Sequence, residues 1–225
     1  MNPEILRGMD ILLTEFKQFA ESSLNPTDVT DKESLGFCRV ALALCVAAES
    51  NYESLRDAYD RDDQTMTAWY CRNLLEIAIY LLYSLQSKAK AKEVSDDRLI
   101  DALDIVQTLK KMEAELNPTV PESELDASVQ VCLRLLADEG ITRRKYRHVR
   151  ELAIDVNLRS EYDRMNKFTS KFVHPTASSI FDAGRGNLYF PYATKIFYLY
   201  GARYFRRAFY ALKAHVESNG LKHKA

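Results

Sequence analysis

The sequence is short of helix breakers, with seven Gly and six Pro in 225 residues. That scarcity favours long helices over a chain punctuated by many turns. No stretch alternates apolar and polar residues at strand length, and neither an internal repeat nor a low-complexity tract is present, which removes sandwiches, barrels and solenoids. Cysteine is also scarce. Cys38, Cys45, Cys71 and Cys132 form no C-x-x-C pair and share no zinc spacing with histidine. Reduced thiols inside the helices of a cytoplasmic protein are expected, with no metal and no cofactor. The N-terminus places acids at Glu4 and Asp10 and lacks the basic-then-apolar order of a signal peptide.

What is abundant is apolar surface, 47% of residues, beside a charged fraction of 28%, as in a water-soluble chain with an ample core. The helical stretches cover about residues 4–23, 31–59, 66–85, 95–117, 121–139, 143–156, 158–173 and 191–218. Asp31 or Ser34 caps the second, Ser95 the fourth and Thr142 the sixth. Gly140 ends the fifth, and Pro175 disfavours helix at His174. Residues 176–190 read as a loop. The expectation is an all-α, single-domain multi-helix bundle over residues 1–218, with a frayed tail at 219–225.

Residues 66–85 organise the rest. Arg72 and Glu76 are their only charges. The stretch is long enough to cross a bilayer, but an Arg and a Glu near its middle are costly in lipid, so a central bundle helix without membrane contact is expected. The pair is four residues apart on one face, shared with Trp69, Tyr80 and Tyr83. Two readings stand: an ion pair that satisfies two charges in the core, or a cleft in which Arg72 binds a phosphate or carboxylate and Glu76 orients it or acts as a base.

A second group is Ser170-Lys-Phe-Val-His174-Pro175. Ser170 and His174 lie one turn apart at a helix C-terminus, where the dipole favours a protonated imidazole. The histidine either caps the last carbonyls or serves as an acid/base or phosphate contact. No nucleophile elbow accompanies the pair, which argues against a serine hydrolase.

Charge is unevenly spread. Residues 1–141 hold 14 Lys+Arg and 26 Asp+Glu, and residues 142–225 hold 17 and 6. Of the 23 Phe and Tyr, 15 also fall after residue 141. In the last helix Arg203, Arg206, Arg207, Tyr210 and Lys213 share an arc of about 120°, opposite Phe197, Tyr198, Phe205, Phe209 and Leu212. Such a basic, aromatic stripe suits RNA or another anionic ligand, and equally the solvated face of any surface helix.

The R-x-x-x-E helix and the later S-x-x-x-H-P motif resemble a family of uncharacterised all-helical bacterial proteins. In shape that family is similar to the HEPN bundles of bacterial toxin and anti-phage systems. The resemblance spans about residues 35–215. It implies an RNA-directed role in defence or stress, and a homo-oligomer, because HEPN ribonucleases join two sites across a dimer and cut RNA without metal. Those enzymes carry Arg and His four to six residues apart on one helix. Here Arg164 is too far from His174, and the matching spacing is Arg143-Arg-Lys-Tyr-Arg147-His148, in a run with five basic residues in eight. With His174 as the acid/base group, the arginine has to be Arg72 from another helix. The other class left open is a non-enzymatic helical module that binds a small anion or a protein partner.

Overall fold

The computed structural model describes residues 3–23, 31–116, 124–142, 147–174 and 192–218. Among these are eight helices and no strand: α1 (Pro3–Ser23), α2 (Lys32–Asp60), α3 (Gln64–Ser84), α4 (Lys88–Leu116), α5 (Glu124–Asp138), α6 (Val149–Asp155), α7 (Arg159–Val173) and α8 (Ala193–Ser218). The protein is all-α. No described helix is long and apolar enough to cross a membrane. The expected loop at 176–190 and tail at 219–225 lie outside the described residues.

Side-chain caps set several helix starts. The Asp31 carboxylate accepts the Ser34 N–H at 2.9 Å, and Asp63 accepts that of Met66 at 2.9 Å. Asp62, in the turn between α2 and α3, has φ +52°, a left-handed geometry that Asp tolerates. Helix α4 begins at Lys88 and not at the expected Ser95. The Ser87 hydroxyl accepts the Lys90 N–H at 3.2 Å, and the Ala/Lys/Glu run that follows is strongly helix-forming. At the other end of the same region, Gly140 (φ +64°) closes α5, with the Ile141 N–H donating to Leu136 O at 2.8 Å, a Schellman stop. Helix α6 starts at Val149; residues 143–146 of the expected basic helix lie outside the described residues, and Arg147 and His148 are not helical.

The chain divides into two compact units, residues 1–91 with 149–225, and residues 92–148. In the first, α3 and α8 pack against each other, and α2, α6 and α7 also pack on α3. The apolar face expected for α8 is buried: Phe197, Tyr198, Phe205, Phe209 and Leu212 are all inside. Phe16 meets the Phe205 ring edge-on at 4.9 Å, and Tyr52 stacks on Phe205 at 4.6 Å, geometries that add to area burial. The Tyr52 and Tyr198 hydroxyls share a buried hydrogen bond of 2.9 Å between α2 and α8. At Gly201 α8 comes close to α2 and α3: a Cβ there would fall 2.4 Å from Leu55 Cδ2 and 3.5 Å from Cys71 Cα. On the surface, Lys17 of α1 bridges Glu49 and Glu53 of α2 at 2.8 Å each.

In the second unit α4 and α5 enclose Leu99, Ile100, Leu103 and Leu136, and Lys110 pairs with Asp126. Cys38, Cys45 and Cys71 are buried free thiols, and Cys132 is half-buried. Burial pushes the Cys45 thiol up to about 12, which makes it inert at neutral pH.

Candidate functional site

Arg72 and Glu76 meet as their spacing requires, with Arg72 Nε donating to Glu76 Oε1 at 3.0 Å. Their side chains are 27% and 24% exposed, so the pair sits at the edge of the core. It faces the start of α7: the Tyr162 phenol is raised by burial first and by the Glu76 carboxylate second, with Arg72 opposing. Next to Arg72, Asn73 Nδ2 donates to Asn51 Oδ1 at 3.1 Å and ties α3 to α2.

The second motif lies elsewhere on α7. His174 is exposed and extended at the helix end (φ −105°, ψ 145°), its N–H donating to Ser170 O at 3.2 Å, as Pro175 predicts. The Ser170 hydroxyl turns back to donate to Lys167 O at 2.9 Å and so does not engage the imidazole. His174 is twelve residues beyond Tyr162, about 18 Å along the helix axis. Its neighbours on the helical face are Arg164, Lys167 and Lys171, all exposed. These three cations and His174, spaced three and four apart, form one basic stripe. Among the described residues no acid stands within ion-pair distance of Arg164, Lys167 or Lys171.

Beside this stripe runs an open groove of about 710 Å³ between α7 and α8, its accessible lining mostly apolar, with Arg164, Lys167 and Lys171 on one side and Phe168, Ile196 and Tyr200 among the rest. Phe168 is held by Phe172 and Phe197, at ring distances of 5.4 and 5.0 Å. The acid at the groove, Asp163, is neutralised by Arg150 at 2.8 Å and Arg159 at 2.5 Å, and the two guanidiniums lower its carboxyl to about 2.

The expected α8 stripe is on the surface. Arg203, Arg206, Arg207 and Tyr210 are exposed, and Lys213 lies 5.9 Å over the Phe209 ring. Arg203 and Arg207 flank one carboxylate, Glu161 of α7, at 3.9 and 3.8 Å. Beneath it, Tyr204 Oη is buried and has no hydrogen-bond partner, although burial and the adjacent Glu161 carboxylate raise its pKa. In the Arg143–His148 run, Arg147 and His148 precede α6 and are not helical, and Arg143 lies outside the described residues. No three His, Cys, Asp or Glu side chains among the described residues converge as a metal site.

Residues 39–186 match the family described as "Family of unknown function (DUF5677)". The chain belongs to that family. The match takes in Arg72, Glu76, Ser170, His174 and the α7 side of the groove, and ends before α8. No curated protein and no solved structure matches the chain.

The α7 stripe escaped the sequence reading, although its signal was present in the spacing of Arg164, Lys167, Lys171 and His174. Glu161 carried no signal of its own, because its partners come from another helix.

Proposed function

We propose that this DUF5677 protein binds RNA along the groove between α7 and α8. The observation that carries the reading is the pairing of an apolar, aromatic-lined groove with the Arg164, Lys167, Lys171 and His174 stripe. Cations follow a phosphate backbone while flat side chains receive bases. The HEPN-like resemblance points to the same ligand. Each phosphate neutralised releases counterions, so log K should fall linearly with log salt. The test is a titration of labelled RNA at several salt concentrations with wild type and the Arg164→Ala/Lys167→Ala/Lys171→Ala variant. The variant should bind more weakly with a shallower slope. Equal affinity and slope would remove the reading.

The catalytic version adds one step. His174 takes the proton of a ribose 2′-hydroxyl, the 2′-oxygen bonds to phosphorus, the P–O5′ bond breaks, and water protonates the leaving oxygen. Arg72, expected to hold that phosphate with Glu76 fixing it, is engaged by Glu76 beside Tyr162. Lys171, one helical turn back on the same face, is better placed to steady a phosphate at His174. Cleavage of mixed RNA by wild type but not by His174→Ala would support this version. No cleavage, or equal cleavage, leaves binding alone.

A second reading has one observation in its favour. The groove volume, about 710 Å³, falls in the range of small-molecule sites. A thermal shift with a mononucleotide, without RNA affinity, would favour it.

A further inference from the structure

We propose that Arg203 and Arg207, on α8 about one and two turns beyond the groove-lining Tyr200, form a phosphate clamp held shut in the free protein by Glu161. The inference rests on the RNA-binding reading and specifies where the backbone is gripped.

Three observations meet at this point. Arg203 and Arg207 are one turn apart on α8 and reach solvent, with 58% and 40% of their side chains exposed. Glu161 is 13% exposed and stands off both guanidiniums at 3.9 and 3.8 Å, beyond direct hydrogen-bond length. The two arginines therefore share one carboxylate at long range, and solvent meets the rest of their forked donors, which a phosphate can engage in its place. Below the carboxylate, Tyr204 Oη is buried beside Glu161 but makes no hydrogen bond of ordinary geometry, an arrangement that native interiors rarely tolerate.

One side-chain rotation would satisfy Tyr204 and release the arginines. If Glu161 turns inward, Tyr204 donates its hydroxyl proton to the carboxylate. The guanidiniums are then free to donate to a phosphate, which offers more acceptor oxygens than Glu161 and no helix to hold it at a distance. Glu161 is thus an internal competitor for the site. Arg206, exposed on the same helix, adds positive charge beside it.

The sign of the effect decides the matter. Anisotropy titrations with a short labelled oligouridylate should show Glu161→Gln binding roughly two- to fivefold more tightly than wild type, the equivalent of releasing partly exposed ion pairs. The gain should vanish in an Arg203→Ala/Arg207→Ala background, whereas a general charge effect would persist there. Tyr204→Phe, which leaves the net charge unchanged, should bind more weakly because the inward position of Glu161 loses its donor. Circular dichroism checks that each variant is folded. Glu161→Gln binding equally or more weakly, or a gain that survives without the two arginines, overturns the clamp. Inorganic pyrophosphate, read by its effect on melting temperature, separates the two claims. The same ordering of variants with pyrophosphate, but no oligouridylate binding, removes the RNA reading and keeps the clamp. No such ordering with either probe removes the clamp.

Discussion

In the larger compact unit α8 turns Phe197, Phe205 and Phe209 inward and its arginines outward. In the smaller unit α4 leaves Ile105, Leu109, Met112 and Leu116 exposed, and α5 leaves Val131, Leu133 and Leu135 exposed. The first has interlocked rings from α1, α2, α7 and α8, and the second has two helices around four buried aliphatic residues. The number of packed neighbours, more than the count of apolar residues, separates a rigid core from a loosely held one. Trp69, the only tryptophan, sits in the larger unit, while far-UV circular dichroism reports on both. Denaturant melts followed by the two signals therefore read the units separately.

The largest effect belongs to Phe205→Ala, which empties the space that Phe16 and Tyr52 pack against. It should destabilise the larger unit by about 3–5 kcal/mol, seen as an early loss of the Trp69 signal. Gly201→Ala comes next, at about 1–3 kcal/mol, because Leu55 is fully buried and has little room to withdraw from the new methyl. Acid has a smaller effect. His215 stacks on Phe37 at 5.1 Å, and burial lowers its pKa from the usual 6.5. The unfolded chain then takes up the proton first as pH falls, so stability present above about pH 6.5 is lost as pH drops through the folded pKa. His215→Phe should lose less melting temperature than wild type between about pH 7 and pH 5. The smallest effect is Leu109→Gln in the smaller unit, within about 0.5 kcal/mol. A loss of several kcal/mol there would break the contrast between the units.

Much of the fold was written locally. The two faces of α8 follow from a period of 3.6, Gly140 from its stop signal, and the Arg72 and Glu76 contact from a spacing of four. The start of α4 was missed because Ser95 and the acids after it imitate a cap, while Ser87 and an uninterrupted helix-forming run prevail. The candidate surface was only half legible. The arginines of α8 stood out as a stripe, but which helix lies beside them is a matter of tertiary packing. Glu161 was therefore invisible until α7 and α8 were placed side by side. The proposed pairing of Arg72 with His174 joined two local motifs by inference. On α7 the imidazole shares its helical face with Lys171, Lys167 and Arg164.

The buried bond between the Tyr52 and Tyr198 phenols sets a limit on how α8 can respond to a bound ligand. Sliding α8 by one turn against α2 would strand two hydroxyls in an apolar interior, at a cost of roughly 1–3 kcal/mol each. Ratcheting of α8 along α2 is thereby discouraged.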